Sequence, residues 1–135
     1  GLITKEAGKG YRAAELLEQL RLLDDAHRVT RDLAYGRQRL IEIALALAAR
    51  PRVLLLDEPA AGVPAGASRE LFETIAALPR EVTIVLIEHD MDLVFRFAER
   101  ITVLVGGAVL TEDVPQAIAA DARVREVYLG DARHG

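Results

Sequence analysis

The spacing of apolar residues divides most of the chain into predicted helices and strands. Leucines at helical spacing predict a helix over residues 13–23. Residues 37–49 are apolar nearly all round, which predicts a buried helix. Two continuous apolar runs, 53–56 and 82–87, predict strands, and a helical pattern over 68–78 lies between them. Because continuous apolar strands are typical of a parallel sheet covered on both faces, we expect a right-handed strand–helix–strand unit.

The last part of the chain predicts shorter elements. They are a helix over 91–98, strands over 101–105 and 108–110, and two short helices that begin after Asp113 and Asp121. The Gly106-Gly107 pair between the two strands is a hairpin signal, and Asp121 is a favourable helix N-cap. At the other end, residues 1–10 have weak periodicity and predict a frayed lead-in.

Composition and charge narrow the class of protein. The chain has 135 residues, of which 51% are hydrophobic and 28% charged, so it can bury a core and is not a disordered chain. A net charge of −4 argues against a general nucleic-acid binder. With no cysteine, disulfides, thiol nucleophiles and Cys-ligated zinc are excluded, which fits a reducing compartment. The longest apolar run, Ile43–Ala49, is far shorter than the roughly 20 residues of a membrane-spanning helix.

Acidic residues follow both predicted parallel strands. Asp57 and Glu58 end the first apolar run, and Glu88, His89 and Asp90 end the second. Ligands of open α/β sheets bind at the carboxyl ends of the strands, so we expect these side chains to share one edge. The alternatives are that they cap the following helices or lie in solvated loops.

The start of the helix near residue 37 is a second candidate site. Gly36 precedes Arg37 and Arg39, and cations in a first turn oppose the helix dipole. An anion bound at this N-terminus would relieve the conflict. Alternatively, the arginines point into solvent or pair with nearby acids.

Three motifs in register resemble those of the ATP-binding-cassette (ABC) ATPases. The segment Leu33-Ala34-Tyr35-Gly36-Arg37-Gln38-Arg39 resembles their signature motif, Val53–Pro59 resembles their Walker B strand, and His89 matches their switch histidine. The stretches 57–62, 87–91 and 127–130 are similar to the ATPase subunits of branched-chain amino acid importers. The resemblance runs from Ala13 to Gly130.

The resemblance implies an α/β fold that forms the C-terminal half of a P-loop NTPase of the ABC ATPase type. It would contain parallel core strands, the end of the helical subdomain, and a C-terminal hairpin with short helices. The implied division is 1–36 for the helical subdomain, 37–113 for the second half of the nucleotide-binding core, and 114–135 for a helical tail.

The resemblance also implies roles for individual residues. Asp57 would hold Mg²⁺ through water, Glu58 would act as general base, and His89 would contact the γ-phosphate of ATP. The signature segment would face an ATP held by the opposite subunit; its residues are Leu33, Ala34, Tyr35, Gly36, Arg37 and Gln38. The implied cofactors are ATP and Mg²⁺. The implied partners are a second ATPase subunit and transmembrane permeases, with no nucleic acid, at the cytoplasmic face of a bacterial inner membrane.

One family motif is missing from this sequence. A Walker A loop reads G-x-x-x-x-G-K-[ST], and the one Gly-Lys pair, in Gly8-Lys9-Gly10, does not fit it. With Ala13 this segment fits a dinucleotide-binding pattern, but no convincing strand precedes it. In the family, the Walker A loop comes from an N-terminal half. We therefore expect a piece of a longer polypeptide that is inactive alone and exposes an edge and apolar faces of its Walker B strand.

Three residues depart from the usual motifs of the family. Arg37 stands where the signature usually has Gln, Leu45 replaces a common Arg, and Pro64 replaces the Asp or Asn of a loop that couples subunits.

Two other functions stay open as alternatives. One alternative is a non-catalytic interaction module. The other is a metal-dependent hydrolase that uses Asp57, Glu58, His89 and Asp90. Branched-chain amino acids as the transported solute follow from the resemblance alone, so urea, amides or other amino acids stay open, as do the permeases.

Overall fold

A computed structural model describes residues 13–129 and divides them into two compact units, one ending at His89 and one beginning at Asp90. The first unit contains, in chain order, α1 (Ala13–Gln19), two 3₁₀ turns (Leu23–Asp25 and Thr30–Asp32), α2 (Tyr35–Ala48), β1 (Val53–Asp57), α3 (Ala65–Ala76) and β2 (Thr83–Ile87). The second contains α4 (Met91–Phe97), β3 (Ile101–Val105), β4 (Ala108–Asp113), α5 (Pro115–Ala120), α6 (Ala122–Val124) and a π-helical turn (Arg125–Leu129).

Helix α1 ends at Gln19, before its predicted end at residue 23. Arg21 adopts a left-handed backbone conformation (φ 56°), and the Leu22 N–H donates to the Leu17 carbonyl at 2.6 Å. This is the Schellman arrangement that closes many helices. As a result Leu22 is buried, and Leu23, the last leucine of the predicted helix, is 48% exposed.

Helix α2 is amphipathic in its packing although its sequence is apolar nearly all round. Leu40, Ile43 and Leu47 recur at helical spacing and are buried. Leu45 on another face is 71% exposed. The prediction that the whole helix is buried is therefore wrong for the described part of the chain.

Strands β1 and β2 form a parallel pair, with Val53 opposite Thr83 and Asp57 opposite Ile87. Helix α3 connects them, so the predicted strand–helix–strand unit is confirmed. Leu54 on one face is buried, whereas Leu55 on the other is 73% exposed. Within residues 13–129 the pair is thus covered on one face. The prediction from the apolar runs, that both faces are covered, is wrong here. The prediction from the missing Walker A half, that an apolar face is exposed, is confirmed.

The second unit is built on an antiparallel hairpin, as predicted. Gly106 and Gly107 both have positive φ (58° and 82°), the conformation that a two-residue type I′ turn requires. Strand β4 extends to Asp113, beyond its predicted end at residue 110. The buried cluster of this unit consists of Ile101, Val103, Ile118 and Val124. Asp121 caps α6 through its carboxylate, which accepts the Arg123 N–H at 2.9 Å.

Some predictions fall outside this description. The lead-in over residues 1–10, with its Gly8-Lys9-Gly10 segment, lies outside the described residues. The predicted boundaries after residues 36 and 113 stay predictions. Over residues 13–129, no helix combines the length and apolarity needed to cross a membrane.

Candidate functional site

The loops that follow β1 and β2 meet at the carboxyl end of the parallel pair. The Glu58 N–H donates to the Ile87 carbonyl at 2.8 Å, which extends the ladder by one residue. Beyond it, Oε1 of Glu58 lies 2.9 Å from Nδ1 of His89. The prediction that these two side chains share one sheet edge is confirmed.

Glu58 has a strained backbone and an accessible side chain. Its φ of 44° lies in the left-handed region, which is costly for a residue with a Cβ and is common at functional sites. The Glu58 carbonyl accepts the Ala61 N–H at 2.9 Å and closes a tight turn. The side chains of Glu58 and His89 are 46% and 76% exposed. This pair can therefore reach a molecule bound at the sheet edge.

Of the neighbouring acids, one joins the two loops and one caps a helix. The Glu88 carboxylate accepts the N–H of Ala60 at 3.1 Å and the N–H of His89 at 3.2 Å. Asp90 instead accepts two N–H groups of α4, from Asp92 and Leu93. The capping alternative thus describes Asp90.

Asp57 is exposed at the end of β1 and lines an open cavity of about 250 Å³ that Arg39 and Glu42 also line. Among residues 13–129, no group of three or more His, Asp or Glu side chains is placed to hold a metal together. A lone carboxylate still fits Mg²⁺, which proteins often bind through one or two carboxylates, with water and phosphate completing the shell. The described residues give no support to a self-sufficient metal centre of a hydrolase.

The signature segment packs on the loop that follows Glu58. A Cβ added to Gly36 would lie 3.3 Å from Cγ1 of Val63, and one added to Gly62 would lie 3.3 Å from the Tyr35 ring. Gln38 folds back, and its Nε2 donates to the Leu33 carbonyl at 2.8 Å. The start of α2 and the loop over residues 60–63 therefore form one packed group.

The two arginines of this segment pair with groups of the same chain. The Arg37 guanidinium hydrogen bonds to the buried Asp25 carboxylate, and it also donates to the Arg21 carbonyl at 2.5 Å. The hydrogen bond from Arg37 is the largest cause that lowers the pKa of Asp25 below its ordinary 3.8. Arg39 bonds to Glu42 at 2.8 Å and lies 4.8 Å from the centre of the Tyr35 ring. The conflict with the helix dipole is thus offset by acids, so these side chains do not by themselves indicate an anion.

Sequence reasoning missed the contacts that two acidic residues make in this region. Asp25 fell in a polar connector, and twelve positions separate it from Arg37, so no helical or strand spacing links them. Glu88 was identified only as one acid among several at a strand end. Its contact with Ala60 crosses 28 positions and depends on how the two loops meet.

Comparisons with known proteins show what this chain is similar to. Residues 2–61 match the model of the family described as "ABC transporter". The chain is 45% identical over 123 residues to the high-affinity branched-chain amino acid transport ATP-binding protein LivG of Escherichia coli K12, which covers 90% of this chain and 48% of LivG. It is 44% identical over 122 residues to BraF of Pseudomonas aeruginosa, a protein of the same description. That match covers 89% of this chain and 48% of BraF.

The family that the chain resembles in each of these comparisons is the ABC transporter family. A crystal structure of an ABC transporter's ATP-binding cassette in the ADP conformation superposes with a TM-score of 0.77 at 30% identity, over 87% of this chain and 48% of that one. The fold is therefore that of an ABC ATPase, as predicted. The chain spans about half the length of the curated relatives it matches.

Proposed function

We propose that this chain is part of an ATPase subunit that hydrolyses ATP to drive import of branched-chain or related amino acids. The observation that carries the proposal is the 2.9 Å contact between Glu58 and His89 at the carboxyl end of the parallel pair. A carboxylate held by an imidazole at this edge is suited to activating a water molecule. The named relatives are branched-chain amino acid transport proteins, which supports the solute class.

In this proposal Glu58 is the general base and His89 orients it. The Glu58 carboxylate accepts a proton from the attacking water, while the His89 ring fixes the position of Oε1 and reaches the γ-phosphate. Asp57, at the end of β1, would hold Mg²⁺ through a water molecule. The ion would supply charge neutralisation on the phosphates, so the protein's part in hydrolysis is positioning and electrostatic stabilisation.

The signature segment serves an ATP molecule bound by a second ATPase subunit. The Arg37 and Gln38 N–H groups of α2 donate to the Ala34 carbonyl, at 2.9 and 3.1 Å. The N–H groups at the very start of the helix, those of Tyr35 and Gly36, favour an anion together with the dipole. We place the ATP contact of residues 33–38 on this backbone and on Gln38. The Arg37 guanidinium is already bonded to Asp25, so Arg37 serves the contact by holding the start of α2 in place.

The proposal includes a second piece of polypeptide that supplies the Walker A loop, without which the isolated chain is inactive. The exposed face of the β1–β2 pair supports this, because Leu55, Val85 and Ile87 are each about half exposed or more. Residues 1–36 then end the helical subdomain, residues 37–113 complete the nucleotide-binding core, and residues 114–135 form the tail. Transmembrane permeases hold the subunit at the cytoplasmic face of the membrane.

Calorimetry and a joined polypeptide test the proposal. The 135-residue chain is titrated with MgATP, and we expect no measurable heat of binding. The part of E. coli LivG that the match does not cover is then joined to this chain, and we expect ATP hydrolysis that Glu58→Gln slows by about 10²–10⁴-fold. MgATP binding by the chain alone would contradict the need for a second piece. A folded joined protein without hydrolysis would contradict the ATPase role.

The exposed apolar face also favours a second candidate, a non-catalytic interaction module. Such a module would bind its partner through this face, and Glu58 would have no role in turnover. The joined polypeptide separates the candidates, since only the ATPase hydrolyses ATP in a manner that depends on Glu58.

A further inference from the structure

Glu88 lies at the junction of the two loops that carry Glu58 and His89. It directly follows β2 and is partly buried. One carboxylate oxygen accepts the Ala60 N–H at 3.1 Å, and the other accepts the His89 N–H at 3.2 Å. A single side chain thus bonds to the backbone of both loops.

The first loop needs such a contact because its backbone is strained. Glu58 has a φ of 44° and is held by its N–H bond to Ile87 and its carbonyl bond to Ala61. A strained residue persists only where its surroundings over-determine the conformation. Ala60 lies inside this turn, and its N–H points across to β2 and bonds to Glu88. The Ala60 carbonyl accepts the Val63 N–H at 3.0 Å, and the carboxylate holds the other side of this residue by binding its N–H and joins the turn to the second loop.

The second loop is fixed by the same group. His89 is 76% exposed, so packing does little to hold its ring in place. The bond from its N–H to Glu88 orients the peptide from which the ring extends. Hydrogen bonds to a charged acceptor are about twice as strong as neutral ones, so one carboxylate can hold both peptides.

We propose that Glu88 is a positioning residue that holds the Glu58–His89 pair in its reactive arrangement by bonding to both loops. This inference deepens the proposed function and rests on it for its effect on turnover. Glu88 itself contacts no reacting atom in this scheme. The joining of the two loops by Glu88 is measurable without ATP.

The first test uses the 135-residue chain with Glu88→Ala, Glu88→Gln and the control Glu81→Ala, which alters an exposed acid at the opposite end of β2. Amide hydrogen exchange is followed by NMR. We expect Glu88→Ala to speed exchange at Ala60 by about tenfold or more, as for loss of a charge-assisted hydrogen bond, with Leu54 unchanged. Glu88→Gln keeps one acceptor oxygen and gives a smaller change, and Glu81→Ala gives none. Unchanged exchange at Ala60 in Glu88→Ala would overturn the proposal.

The second test measures ATP turnover in the joined polypeptide described above. A misplacement of about 1 Å costs on the order of 100-fold in rate, so we expect Glu88→Ala to lower kcat by about 10–100-fold with less than a twofold change in KM. Glu88→Gln recovers most of the rate, because it keeps an acceptor for Ala60. A Glu88→Gln variant as inactive as Glu58→Gln would make Glu88 a catalytic group and overturn the proposal. If the parent joined protein hydrolyses no ATP, the proposed function fails, while hydrogen exchange still decides whether Glu88 joins the loops.

Discussion

The two strand pairs of this chain are completed by different parts of the sequence, although both leave apolar side chains exposed, such as Leu104 and Leu55. The antiparallel pair β3–β4 is joined by Gly106-Gly107, and its unit contains a buried cluster made of its own strands and helices. The parallel pair β1–β2 needs helix α3 as a connection and leaves Leu55 73% exposed. A hairpin is completed by neighbouring residues, whereas a parallel sheet requires cover from distant segments.

The acidic residues of the two units also have different roles. The candidate pair Glu58 and His89 lies on the parallel unit, where two loops come together at one edge. In the hairpin unit, Asp121 caps a helix and Glu112 pairs with Arg100. Function is thus proposed for the unit that contains the parallel pair, and the following predictions test that assignment.

The largest effect is expected for Glu58→Gln in the joined polypeptide. A positioned general base contributes about 10²–10⁴-fold, so turnover should fall by that factor while ATP binding is unchanged. The matched control is Glu112→Gln in the hairpin unit, which should leave turnover unaltered. Steady-state ATPase assays and ATP-binding measurements give both values, and equal losses in the two variants would remove Glu58 from the mechanism.

Core truncations test whether the two units are separate cooperative bodies. Phe72 in the first unit and Ile118 in the second are each 1% exposed. Phe72→Ala should cost about 3–5 kcal/mol and Ile118→Ala about 2–5 kcal/mol in the free energy of unfolding. Hydrogen exchange should show lost protection mainly in the unit that carries the substitution. Loss spread evenly over residues 13–129 would contradict the division.

Neighbouring leucines on β1 test the open face of the parallel pair. Leu54 is 5% exposed and Leu55 is 73% exposed. Leu54→Ala should lower the free energy of unfolding of the 135-residue chain by about 2–5 kcal/mol, whereas Leu55→Ala should change it by only about 0.5 kcal/mol. Urea denaturation measures both. A large loss in Leu55→Ala would mean that this face is covered in solution.

The smallest effect concerns the helix cap of the hairpin unit. Hydrogen bonds from the Arg123 side chain and N–H lower the pKa of Asp121 to about 2 from its ordinary 3.8. Because the folded-state pKa is depressed, the cap's contribution to stability is present above pH 3.8 and is lost as the pH falls through about 2. Arg123→Gln should raise the Asp121 pKa toward 3.8 in an NMR titration, and Arg125→Gln should not. An unchanged pKa in Arg123→Gln would contradict the assigned cause.

Predictions from local pattern succeeded where neighbouring residues carry the information. The hairpin turn at Gly106-Gly107 and the cap at Asp121 depend on backbone conformations that a few residues impose. The end of α1 was missed because Arg21 adopts a left-handed conformation that its sequence does not favour. Such an end is decided by whether Leu22 or Leu23 finds a buried position.

By itself, the sequence determined the strand–helix–strand unit and the shared edge of Glu58 and His89, because apolar runs and the acids that end them predict a sheet edge. Its motifs also carry the resemblance to ABC ATPases. Only the tertiary structure decided that Arg37 pairs with Asp25, that Glu88 bonds to Ala60, and that one face of β1–β2 is open. These features join residues far apart in the chain, or depend on which surfaces find cover. The spacing of apolar and polar residues along the chain reports neither long-range contacts nor which surfaces are covered.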